Sequence, residues 1–196
     1  MISLAPVRIS DPDTRILSLA DAKEHLKVES SDEDALITAY IAAAEGYLDG
    51  YSGMLGQALI TQQWSQGFNR FPYGDRFRLP LGPLQQIDSI SYYDEAGALE
   101  TFSSFHGISD AVGPMVVLQD GESWPATATR PDAVTVTWTC GFGDDEIDVP
   151  MSILQATKLL VGEWHFNRAN STRAMGSQEL PFAVRALIGP HSKVGL

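Results

Sequence analysis

Leu36, Ile37, Tyr40, Ile41, Ala44, Tyr47 and Leu48 recur at three-and-four spacing. That period predicts one apolar stripe along a helix rather than the alternating face of a strand. Ser30, with Glu33 three residues on, has the pattern of a capping box, and Asp32, Glu33 and Asp34 suit the positive end of a helix dipole. Gly50 and Gly53 mark the stop. Upstream, Ser18 with Asp21 and the shared face of Leu19, Ala22 and Leu26 predict a shorter helix. The two helices, separated by the polar break at Glu29–Ser31, make an αα-hairpin. A further long helix is expected from about Pro150 to Arg168. Met151, Ile153, Leu154, Ala156, Leu159, Leu160, Val161, Trp164 and Phe166 leave it only a narrow polar stripe through Ser152, Gln155, Lys158 and His165. Such a helix needs cover on most sides, from the hairpin on one and from another subunit on the rest.

Between these helices the period changes to two. Short apolar runs around Trp64 and Phe68, Phe77 and Leu79, Ile87 to Tyr92, and Met115 to Leu118 are separated by Pro, Gly, Asp and Asn-type turn residues. The clearest strand is Val134–Cys140, with Val134, Val136, Trp138 and Cys140 on one face and three threonines on the other. The predicted fold class is therefore α+β. A helical core (17–60 and 149–168) carries a β-rich insertion (61–148), preceded by an extended arm (1–16) and followed by a carboxy-terminal arm (169–196).

Composition narrows the function classes. The chain has 196 residues, 44% hydrophobic and 19% charged, a globular balance without an apolar run of membrane-spanning length. The amino terminus lacks the basic-then-apolar pattern of a secretory signal, so export is not expected. A single cysteine, Cys140, excludes an internal disulfide and a multi-thiolate zinc site. The formal net charge of −12 argues against wrapping nucleic acid, which requires clustered Lys and Arg. The same charge suits a wall beside DNA that must not bind it.

The tail has the opposite sign. Arg168, Arg173, Arg185 and Lys193 stand against Glu179, around the apolar segment Leu180–Ile188. Two readings are open: a segment that orders on a partner, or a last turn docked on its own domain.

Candidate chemistry is sparse. Asp144, Asp145, Glu146 and Asp148 lack the alternating ligand order of a calcium loop and better serve as dipole complements before Pro150. Glu163-Trp164-His165 has no second histidine four residues on, and the four histidines are scattered. Cys140 reads as a buried structural thiol. Trp124-Pro125 and Tyr92-Tyr93 are explained by packing, although they leave a β-rich carbohydrate-binding or cell-surface-binding module of a virion as the alternative function. A small hydrolase would need a carboxylate pair in a cleft. No cofactor or metal is implied.

The order of blocks along the chain resembles the head-tail connector, or adaptor, family of long-tailed bacteriophages and phage-derived gene transfer agents. The blocks are Leu17–Val28, Asp32–Ile37 through Ala44, Leu59–Trp64, Leu79–Leu84, Ile90–Asp94 with Gly97, Arg130–Trp138, Gly141–Gly143 with Val149-Pro150, and Glu163–Arg168, with a weaker match at Leu180–Phe182. The resemblance implies a non-enzymatic structural protein of the virion, placed at the capsid–tail junction and assembled in the bacterial cytoplasm. It implies a homo-oligomeric ring, usually dodecameric, bound to a portal protein on one side and a tail-completion (stopper) protein on the other. Double-stranded DNA would pass through its channel without sequence-specific binding. In that frame the helices build the ring, with Tyr40, Tyr47, Leu160 and Trp164 at the subunit interface. The arm meets the portal through Arg173, Leu180, Pro181, Phe182, Arg185, Leu187 and Ile188. The β-rich stretch is larger than in minimal connectors, so its contacts do not transfer.

Overall fold

Ser18 opens the first helix as its sequence requires, its Oγ accepting from the Asp21 amide at 3.1 Å. This helix, α1, runs Leu19–Leu26 and ends where Lys27 turns left-handed at φ 57°. The computed structural model describes residues 1–167 and 181–192. They divide into two units, one of residues 14–60 and 143 onward, the other of residues 1–13 and 61–142.

In the helical unit, α2 spans Asp34–Leu48, α3 Met151–Phe166 and α4 Phe182–Ile188. The start of α2 departs from the expected capping box. Ser30 Oγ accepts from the nearby Asp32 amide at 3.1 Å, a local turn that competes with capping. Glu33 caps nothing through its side chain and meets His165 Nε2 of α3 at 2.9 Å. A tertiary hydrogen bond has taken the residue that the capping pattern assigned locally. The stop is as read: a Cβ at Gly53 would lie 2.2 Å from the Asp49 carbonyl oxygen, so only glycine fits there.

Ile37, Ile41, Ala44 and Leu48 of α2 and Ile153, Ala156, Leu160 and Val161 of α3 are buried, and α3 packs on α1, α2 and α4. The chain enters α1 along Glu45, which accepts from the Ile16 amide at 2.9 Å and pairs with Arg15. Burial outweighs the Arg15 charge and raises the Glu45 carboxyl above its ordinary value.

The β unit holds a five-stranded antiparallel sheet and a three-stranded one. Its strands are β1 (Val7–Ser10), β2 (Gln62–Phe68), β3 (Arg76–Arg78), β4 (Leu84–Tyr93), β5 (Leu99–Phe102), β6 (Phe105–Ser109), β7 (Pro114–Leu118) and β8 (Val134–Cys140). The sheet orders are β1-β2-β8-β4-β5 and β3-β7-β6. The stretch read as an extended arm thus contains an edge strand. Strands β2 and β8 alternate in step, with Trp64 opposite Trp138 and Phe68 opposite Val134. Phe68 meets Phe77 at 5.3 Å between ring centroids, and Trp124 stacks on Phe71 at 4.8 Å. Aromatic rings therefore join the two sheets. In β6, Gly107 lets the strand lie against Ile87, whose Cγ1 would be 2.8 Å from any Cβ.

Asp110 stabilises the second sheet from a loop, accepting two hydrogen bonds from Arg78 of β3 and others from the Val112 and Gly113 amides. The Arg78 hydrogen bonds are the main reason its carboxyl lies well below the usual carboxylate range. A depressed folded pKa adds stability above the ordinary unfolded value, and that stability is lost as pH falls below it. Acidification below about pH 4 should therefore weaken the β unit in the parent chain. In Asp110→Asn this part of the acid dependence should be missing, as read by thermal unfolding from pH 6 to pH 2. Val184→Asp should free α4, because an unpaired carboxylate there costs several kcal/mol. Hydrogen exchange should then show residues 182–188 losing protection while the β unit keeps its own.

Candidate assembly surfaces

The helical unit leaves several large apolar side chains in water. Met151 and Phe166 stand at the two ends of α3, Tyr47 on α2, Tyr51 and Met54 just beyond it, and Phe182 on α4. A helix that is apolar on most sides produces this outcome: three neighbouring helices cover its middle and leave its ends open.

The expected subunit-interface residues separate into two groups. Trp164 is half-buried and meets Tyr47 edge-on at 6.4 Å, and Tyr40 meets His165 edge-on at 6.5 Å. These four rings form an aromatic row along the α2–α3 seam that remains reachable from outside. Leu160 is different, being buried among its own unit's helices. It lies one turn before Trp164 on the same face of α3, so it backs the seam and is not a surface residue.

The expected portal-arm residues separate in the same way. Phe182 is 87% exposed, whereas Ile188 is 3% exposed and lies in the core of the helical unit beside the fully buried Val184. Arg185 is exposed, and Pro181 and Leu187 are half-buried. Arg173 and Leu180 lie outside the described residues. Of the two readings of the tail, the docked one describes α4. The signal was available in the apolar pair Val184 and Ile188, four residues apart and so on one helical face. Past α4, the His191 carbonyl accepts from Gln57 Nε2, and the His191 ring hydrogen-bonds Ser152 Oγ at 2.7 Å. These bonds secure the end of α4 to the base of α3.

Other singled-out residues are structural. Cys140 is buried opposite Gln62. Trp124 is half-buried, packs on Phe71, Phe77 and Phe102, and donates its Nε1–H to the Gly74 carbonyl at 2.8 Å. Its contacts are those of a packing element. The Tyr93 ring lies 3.7 Å beneath the Arg130 guanidinium. Sequence reading missed buried Gln62 and Gln66 as core residues. Gln62 Oε1 accepts from the Trp64 indole at 3.0 Å, and Gln66 Nε2 donates to the Leu4 carbonyl at 2.8 Å. Among the described residues no group of three or more His, Cys, Asp or Glu is placed to hold a metal ion, and no helix is long and apolar enough to cross a membrane.

The family model of phage gp6-like head-tail connector proteins matches residues 16–96, which span the helical hairpin and the chain through β4. No curated protein matches the chain. Among solved structures, a chain in the neck of an empty gene transfer agent particle, computed with C6 symmetry, superposes with a TM-score of 0.77 at 21% identity. A chain in the virion of a native gene transfer agent particle gives 0.73 at 23%, and one in the neck of the native particle, computed with C12 symmetry, gives 0.71 at 22%. Each match covers 98% of this chain and 97% of the other. The resemblance read in the sequence is thus present in both comparisons: residues 16–96 carry the head-tail connector pattern, and the chain has a fold found in the neck of gene transfer agent particles.

Proposed function

We propose that this protein is a non-catalytic head-tail connector, a ring subunit in the neck of a phage or gene transfer agent particle. The observation that carries the reading is the coincidence of two independent likenesses, a family match through the hairpin and a fold match over nearly the whole chain. The C6 and C12 symmetry of the neck structures supports a closed ring of copies. In this reading the aromatic row of Tyr40, Tyr47 and Trp164 meets a neighbouring copy, with Leu160 supporting it from within. The portal is met by Pro181, Phe182, Arg185 and Leu187, with Arg173 and Leu180 completing the arm and Ile188 holding α4 in place. A tail-completion protein binds the opposite end of the ring. The acidic body lines a path that DNA crosses without being held. The helical unit builds the ring.

Electron microscopy of intact particles carrying a tagged copy tests the placement; label anywhere but the capsid–tail junction overturns it. Phe182→Ala should leave the melting temperature unchanged, since the ring is in water in the isolated chain. It should weaken portal attachment about thirtyfold, the loss of one anchoring aromatic worth about 2 kcal/mol. Co-sedimentation of the variant with portal rings measures it.

A further inference from the structure

The β unit contains an open groove of about 580 Å³ lined by Ile2, Leu4, Arg70, Thr129, Arg130 and Pro131 among others. Its apolar lining is poorly covered, Ile2 being 71% and Leu4 45% exposed. Two arginines face it in an otherwise acidic protein. Arg70 lies over the Tyr73 ring at 4.1 Å and donates from its guanidinium to the Tyr73 hydroxyl. Arg130 is held over Tyr93 and forked onto Asp132, with two hydrogen bonds of 2.7 Å.

The helical unit presents a feature of the opposite character. The turn from Gly143 to Val149 carries Asp144, Asp145, Glu146 and Asp148 around Ile147, which is 85% exposed at its tip. The turn is rigid. Thr14 Oγ1 donates to the Asp144 carbonyl at 2.6 Å, the Asp145 amide donates to Asp148 Oδ2 at 3.3 Å, and residues 146–148 close into a 3₁₀ turn. Gly143 is required, because a Cβ there would lie 2.1 Å from that same carboxylate oxygen.

We propose that this acidic turn of one copy seats in the arginine-flanked groove of the next. Ile147 would enter between Ile2, Leu4 and Pro131, and the surrounding carboxylates would face Arg70 and Arg130. Charge selects this occupant. The chain's own carboxy-terminal segment brings Arg173 and Lys193 against Glu179, the wrong sign for the groove. A phosphate backbone has no apolar group to fill the floor formed by Ile2, Leu4 and Pro131, whereas the acidic turn carries Ile147. Because the two surfaces differ, the contact is heterologous and closes only as a ring; in this it rests on the ring reading above. A preformed turn also reduces the ordering cost of docking.

The test uses the full chain with Ile147→Cys and Thr129→Cys, both exposed positions, and leaves the buried Cys140 in place. Under mild oxidation of assembled particles, the double variant should give a ladder of covalent multimers. A mixture of the two single variants should stop at dimers. Arg70→Glu should reduce the ladder at least tenfold, and adding Glu146→Arg should restore it. Rings that form normally but give no ladder, or only an intrachain disulfide, overturn this contact and leave the ring reading intact. A chain absent from particles and monomeric with portal present overturns both. An Arg70→Glu variant that keeps the ladder but loses salt-sensitive DNA binding assigns the groove to nucleic acid and overturns the proposal.

Discussion

Covering α3 is the constraint from which the helical unit follows. Ile153, Leu154, Ala156, Leu160 and Val161 place apolar surface on several sides of one helix, and water penalises each side left open at about 25 cal/mol per Å². Three neighbours answer that demand. The long helix α2 covers one side with Ile37, Ile41 and Ala44, α1 a second, and α4 a third through Val184 and Ile188. The tertiary tie between Glu33 and His165 follows from the same packing, since it closes the seam where the end of α3 meets the start of α2.

The cover is incomplete at the ends, and there the helical unit is equipped to meet other molecules. Met151, Phe166 and Phe182 are open, while Tyr47 and Trp164 form an aromatic edge over the seam. A monomer with no further partner has little reason to leave such rings in water. The ring reading gives Tyr47, Trp164 and Phe182 a destination. It also reconciles two properties that conflict in an isolated chain, a net charge of −12 that resists association and an exposed aromatic row that promotes it. Charge concentrated on some surfaces and absent from others directs where copies meet.

The β unit solves its packing differently. Two sheets of different size share a cluster of aromatic rings, with Phe68, Phe71, Phe77, Phe102 and Trp124 in mutual contact. Trp124 and Tyr92, which look like ligand platforms in the sequence, are thus among the rings that the unit packs together. Two buried glutamines are anchored in this unit, Gln62 by accepting from the Trp64 indole and Gln66 by donating to the Leu4 carbonyl.

Local pattern determined the helices and the strongest strands. Three-and-four spacing marked α2 and α3, Ser18 marked the start of α1, and strict alternation marked β8. In each the signal lies within one turn or one strand. Signals that depend on distant partners were not legible. Val7–Ser10 becomes a strand only because β2, more than fifty residues on, offers an edge. Glu33 abandons its local cap because His165, far along the chain, is within reach. Leu160 and Ile188 look like interface residues until packing turns them inward, whereas Tyr47 and Phe182 of similar hydrophobicity remain outside. Sequence by itself determined how much apolar surface the helices carry and where periodicity begins and ends. Only the tertiary structure decided which of those side chains cover one another and which are left for a neighbour, because hydrophobic burial has no direction until the partner surfaces are in place.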